Sequence, residues 1–264
     1  MPRFGLRALL VCFIAAGAVL AVVCLAFLQV REAGHRITCT NNVRRIVLGM
    51  LNYESAFGHL PIGIETTATG TPYCSWRWKI SPYLESRRYY YDPNSSWNSP
   101  RNARLYDGTL ITTSDKFGGN VRVAALDPCP KYFWCCPADS KKRMNYAVVV
   151  GETTAFPLNR PVKLEEITDG LENTILVIET LSGSSVWTEP LDVEFDDMKF
   201  RLNRNNNGEL ASKHRGGVNV GFADGEVYFL SDTVSEDELK ALFTISGGEA
   251  TTRQDLLDRG ILGR

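Results

Sequence analysis

An α+β fold, in which a long N-terminal transmembrane helix packs on an antiparallel sheet with long loops, is expected from three stretches of this chain. Ala8 to Leu28, ALLVCFIAAGAVLAVVCLAFL, carries no charged residue. At about 1.5 Å per helical residue it is long enough for a hydrocarbon core of roughly 30 Å. From Gln29 to Phe57 there is no proline and apolar residues recur at helical spacing, so the helix is expected to continue past the bilayer. Beyond it, Asn173 to Glu179 (NTILVIE) and Val218 to Leu230 (VNVGFADGEVYFL) read as strands.

The extension of the helix follows position by position. Val30, Ala33, Ile37, Val43, Val47 and Met50 fall on one stripe, with Ile46, Tyr53 and Phe57 beside it. Arg31, Glu32, Arg36, Asn42, Arg44 and Arg45 take much of the opposite face. Gly58 offers a left-handed C-cap and Pro61 a breaker, so the helix is expected to stop near Phe57. A continuous Ala8 to Phe57 helix is about 75 Å long, with Gly34 as the site where it would bend. A cleaved secretory signal is the alternative, since Arg3 and Arg7 precede the apolar run. Typical h-regions span only about 7–15 residues, and no small-x-small cleavage site follows here. Cys12 follows Val11 and Cys24 follows Val23, where lipoprotein processing needs a small residue. Arg3, Arg7 and the α-amino group favour an N-terminus in the cytoplasm, opposed in part by Arg31 and Arg36.

The remaining residues suffice for one domain with a real core. With 29 Lys+Arg against 30 Asp+Glu, the net charge of −1 provides no electrostatic basis for a nucleic-acid partner. Five of the seven cysteines, Cys39, Cys74, Cys129, Cys135 and Cys136, lie beyond the anchor. In an oxidising compartment one or two disulfides are expected, with Cys129 to Cys135 or Cys136 the favoured pairing and buried thiols the alternative. The Cys129 to Cys136 segment lacks the paired spacing and nearby histidines of a structural zinc site.

Downstream of Pro61, Ser75 to Leu84 (SWRWKISPYL) reads as a short helix or an extended segment, and Tyr89 to Asp127, rich in Asn, Ser, Pro, Gly and Asp, as a surface excursion. Asn145 to Val150 (NYAVVV) reads as a strand, and Val162 to Ile167 leads into a Thr168-Asp169-Gly170 turn. Asn173 to Glu179 reads as a central strand. In Val218 to Leu230 the alternation on either side of Ala223-Asp224-Gly225 predicts a β-hairpin, because Asp-Gly adopts the positive φ of a tight turn. Ser235 is expected to N-cap a short helix with Glu238 at N3. The segment from Gly247 reads as a polar tail.

No catalytic constellation emerges. His214 beside Asp224 evokes a base with an orienting carboxylate, but no nucleophile elbow accompanies it. No dinucleotide fingerprint, phosphate loop or H-E-x-x-H occurs. No cofactor is expected apart from a speculative calcium on Asp192, Glu194, Asp196 and Asp197, whose oxygens suit a hard cation without forming an EF-hand. Trp187, Glu189, His214 and Asp224 form a candidate recognition patch.

The ordered motifs CTNNVRRIVLGMLNYESAFGHLPIG, SWRWKISPYLE, CCPAD with NYAVVVG, ITDGLENTILVIE, VWTEPLDV and KHRGGVNVGFADGEVYFLSD resemble a bacterial domain-of-unknown-function family, number 1559, that carries a prepilin-type N-terminal segment. The resemblance runs from about Arg31 to Glu249. It implies a pilin-like architecture, a long N-terminal helix whose outer half packs on an antiparallel sheet, and no established enzymatic activity. The prepilin motif is degenerate: such members read Gly-Phe-Thr-Leu-Ile-Glu and are cut after the glycine, whereas here Arg3-Phe4-Gly5-Leu6-Arg7 precedes Leu10 at the glutamate's place. Cleavage and N-methylation are therefore not expected, and charge-mediated helix assembly lacks its carboxylate.

The expected organisation is a cytoplasmic N-terminus (1–7), a transmembrane anchor (8–28), the outer half of the helix (29–58), a pilin-like α+β domain (59–252) and a tail (253–264). Residues 8–28 would contact membrane lipid, and the N-terminal helix would serve protein partners or self-association. The location would be the bacterial cytoplasmic membrane, single-pass, with the domain outside. The expected function is structural, assembly or binding without catalysis. A processed pseudopilin subunit of a type II secretion or pilus-like filament and an extracytoplasmic solute- or glycan-binding module are the alternatives.

Overall fold

The structure, a computed structural model, describes residues 5–84, 92, 95–103, 111–114, 120–123, 130–133, 143–183, 186–202 and 210–263. The chain divides into two units, Met1–Thr38 and Cys39–Arg264. The first unit is the leading part of helix α1 (Leu6–Phe57). It contains a stretch long and apolar enough to cross a membrane, with Leu10, Phe13, Ile14, Leu20, Val23 and Phe27 exposed. No break is assigned at Gly34, whose carbonyl accepts from the Thr38 hydroxyl at 3.0 Å.

Within the second unit, α1 supplies Cys39, Val43, Ile46, Val47, Met50 and Tyr53 to the core. Burying each large aliphatic side chain contributes about 1.5–3 kcal/mol, so this face holds the helix on the domain. The expected stripe is thus corrected at its ends: Val30, Ala33, Ile37 and Phe57 are exposed, and burial begins at Cys39. Gly58 ends the helix with φ +75° and donates its N–H to the Glu54 carbonyl, as a C-cap glycine does.

The domain then forms β1 (Ile64–Thr66), β2 (Pro72–Ser75), α2 (Trp76–Leu84), α3 (Pro100–Ala103), β3 (Ile111–Ser114), β4 (Asn120–Val123), β5 (Tyr146–Ala147), β6 (Val149–Val150), β7 (Ile175–Glu179), β8 (Val193–Glu194), β9 (Gly217–Phe222), β10 (Val227–Ser231), α4 (Glu236–Ala241), α5 (Arg253–Asp258) and β11 (Leu262–Gly263). The main sheet has the order β11-β10-β9-β7-β5, with every pairing antiparallel. Helix and antiparallel sheet together make the α+β fold.

Both faces of this sheet are covered. Val218, Val220, Phe222, Tyr228 and Leu230 pack with Leu239, Leu242, Phe243 and Leu256 beneath α4 and α5. On the other face β9 presents small or polar residues. Asn219 accepts from Thr40, and Gly221 lies so close to α1 that a Cβ there would overlap Val47 and come within 2.9 Å of Val43. The large-small alternation of VNVGFA is therefore the footprint of the helix. Thr40 over Asn219, Val43 and Val47 over Gly221, and Leu51 near Gly225 set α1 running in the same direction as β9.

Two readings are corrected, and one stretch without an expected element gains one. NYAVVV is not one strand: β5 pairs antiparallel with β7 and β6 pairs parallel with β8, with the Val148 N–H diverted to the Asp192 carboxylate at 3.0 Å. The Val162 to Ile167 stretch contains a 3-10 turn, Leu164–Glu166. The tail from Gly247 is folded, because Leu256, Ile261 and Leu262 are buried and β11 pairs with β10. The β9–β10 hairpin turns through Gly225 at φ +92°, and Ser235 and Glu238 make the expected capping box of α4.

Candidate functional site

A buried group of three metal-ligand side chains lies at the start of the buried face of α1. Cys39 opens the buried face of α1, Glu179 ends β7, and His214 sits in the loop before β9. One ligand-competent atom from each, Sγ, a carboxylate oxygen and a ring nitrogen, falls within 4.8 Å of the others. Their exposures are 0%, 1% and 4%, so these groups address one another rather than solvent.

Local structure fixes each of them. Glu179 closes an otherwise apolar strand; its Oε2 accepts from the Asn219 backbone N–H at 2.6 Å and from Asn219 Nδ2 at 3.1 Å. The Thr40 hydroxyl donates in turn to Asn219 Oδ1 at 2.9 Å. Glu179 Oε1 is thereby turned toward His214 Nε2, 3.7 Å away. The His214 loop is braced by Ser212, whose Oγ accepts from the His214 N–H at 3.0 Å and donates to the Gly217 carbonyl at 2.8 Å. Gly216 turns the chain at φ +82°, and any Cβ at Gly217 would strike the Leu230 carbonyl. The His214-Arg215-Gly216-Gly217 motif thus delivers an imidazole to the sheet.

A second buried polar site surrounds Asp192. The Arg77 guanidinium grips its carboxylate with two bonds, at 2.8 and 2.9 Å, and the Trp76 indole N–H donates at 3.1 Å. Burial pushes the Asp192 carboxyl above the usual carboxylate range, while Arg77, the Val148 N–H and Trp76 pull the other way. Arg77 also donates to the Tyr146 carbonyl at 2.9 Å, so one ion pair joins α2, β5 and the approach to β8. Glu194 and Asp197 line a cleft of about 240 Å³ with this pair.

The proposed calcium ligands do not behave as one group. Asp192 is committed to Arg77, whereas Glu194, Asp196 and Asp197 are exposed. Among the described residues, the converging metal-ligand group is Cys39, Glu179 and His214. The recognition patch is also redistributed. Trp187 is a core residue, stacked on Phe133 with centroids 5.6 Å apart, and the Glu189 N–H closes a turn onto the Val186 carbonyl. Asp224 pairs with Arg253 at 2.6 Å and accepts from the Glu226 N–H at 3.0 Å. The carboxylate facing His214 is therefore Glu179, not Asp224. Cys129, Cys135 and Cys136 lie outside the described residues. Cys74 is buried, which pushes its thiol up to about 12.

These features define an α+β domain preceded by an apolar helix, with a buried thiol–imidazole–carboxylate cluster at the helix's entry to the core. The SBP_bac_10 family model, described as "Protein of unknown function (DUF1559)", matches residues 29–200 and 199–237, and the chain belongs to that family. No curated protein and no solved structure matches the chain.

Proposed function

We propose that this protein is a single-pass, pilin-like membrane protein that holds its α+β domain outside the bacterial cytoplasmic membrane, in an assembly, display or binding role without catalysis. The observation that carries this reading is the dual character of α1. Its leading part is apolar and exposed, and from Cys39 onward its side chains are the core of the domain. The tether and the fold are then one helix, which supports an anchor retained for life over a disposable signal. The burial of Cys39, Glu179 and His214 supports a structural role for the cluster, because a catalytic thiol needs access to substrate.

The test is membrane fractionation of the full chain carrying a C-terminal tag, with the mature N-terminus mapped by mass spectrometry and the tag probed with protease in intact cells and spheroplasts. Detergent-dependent extraction, an intact N-terminal segment and a tag accessible only from outside the membrane are expected. A soluble product beginning downstream of Leu28 would make the segment a signal. A new terminus at Leu6 would make the protein a processed filament subunit.

A further inference from the structure

We propose that Cys39, Glu179 and His214 bind one zinc ion that clamps α1 to the sheet. The donor set is the first argument. One thiolate sulfur, one imidazole nitrogen and one carboxylate oxygen are the three ligand types that zinc takes, and three protein ligands leave a fourth tetrahedral position for water or another small ligand.

Geometry is the second. Glu179 Oε1 and His214 Nε2 are 3.7 Å apart, too long for a hydrogen bond between them. With bonds of about 2.1 Å, two ligands of a tetrahedral ion stand about 3.4 Å apart. The pair is thus spaced as ligands of a shared ion, and the sulfur, within 4.8 Å of both, reaches it by closing about an ångström.

The surroundings are the third. Ligating carboxylates are characteristically oriented by further hydrogen bonds, and Glu179 has its far oxygen held by Asn219, itself held by Thr40. Cys39 and Thr40 are consecutive in α1, Asn219 lies on β9 and Glu179 ends β7, so ligands and supporting groups come from the elements the ion would join. Binding forms Zn–S, Zn–N and Zn–O bonds and releases the thiol proton to solvent. The site stands independently of the anchoring role, since it requires only residues of the Cys39–Arg264 unit.

The test uses the full-length chain in detergent, stripped with chelator, reloaded with Zn²⁺ or Co²⁺ and desalted. About one ion per chain is expected by mass spectrometric metal analysis, and the cobalt form should show the thiolate-to-metal charge-transfer band. Cys39→Ser should abolish the band, His214→Gln should release the metal, and Asn219→Ala should weaken binding by about tenfold. A chain with Cys12, Cys24, Cys74, Cys129, Cys135 and Cys136 all changed to Ser should keep the band, which locates the ligand even where Cys39→Ser fails to fold. Sub-stoichiometric metal in the reloaded wild-type chain, or loss of the band in the six-serine chain, would overturn the proposal.

Discussion

Val47 sits directly on Gly221, with no room for a β-carbon between the helix and the strand. Val43 closes the same gap from the preceding helical turn. Gly221→Ala should therefore push α1 off β9 and destabilise the domain by about 1–3 kcal/mol, the usual cost of overpacking. Thermal unfolding checks this. Combining it with Val47→Ala should recover part of the loss, because the two sites share one contact.

Arg77→Met should cost about 3–5 kcal/mol by stranding the Asp192 carboxylate in the core. The double variant Arg77→Met, Asp192→Leu should be less destabilised than Arg77→Met alone, since it removes both charges. Denaturant unfolding of the two variants measures the difference. A corollary concerns calcium: Asp192→Ala disturbs Arg77, Trp76 and Val148 directly, so a calcium titration should alter Glu194, Asp196 and Asp197 only.

Glu238 links stability to pH. Its hydrogen bond from Arg259, with those from the Ser235 cap, lowers its pKa from 4.5 to about 2. A depressed carboxyl stabilises above its unfolded pKa and loses that contribution as pH falls through the folded value. Glu238→Gln should thus cost about 1 kcal/mol at pH 7. The gap from wild type should narrow between pH 4.5 and about 2. Chemical denaturation across that range reads it directly.

Cys74 should resist alkylation. Its thiol, pushed up to about 12 by burial, stays protonated and enclosed at neutral pH, and thiolate is the reactive form. Iodoacetamide labelling mapped by mass spectrometry should show Cys74 modified only once denaturant unfolds the domain.

Local signals carried most of the secondary structure. The Asp224-Gly225 turn, the Ser235 and Glu238 capping box and the Gly58 helix end are each encoded within a few residues, and each forms. Long-range partnerships were not legible. NYAVVV is split because a carboxylate 44 residues away in the chain takes the Val148 N–H. Trp187 and Asp192 read as surface residues because their neighbours are polar, yet Phe133 and Arg77 bury them. The final residues looked like a tail because Leu256, Ile261 and Leu262 are few and scattered, enough only once β10 and the α4 layer receive them.

The Cys39–Glu179–His214 cluster shows the same limit. His214 and Asp224 are near neighbours in sequence, but the partners of His214 stand 35 and 175 positions before it. The available clue was a glutamate closing the apolar strand NTILVIE, an ionisable group the chain would bury only with donors to receive it.

The common direction of α1 and β9 has a mechanical meaning. A pull along the helix axis at Cys39 does not peel the helix from the sheet one contact at a time. It makes the helix slide along the strand, so that the Thr40–Asn219 bond and the seating of Val43 and Val47 on Gly221 resist together. Tension along the axis of this part of α1 therefore loads the Thr40, Val43 and Val47 contacts in parallel rather than in succession.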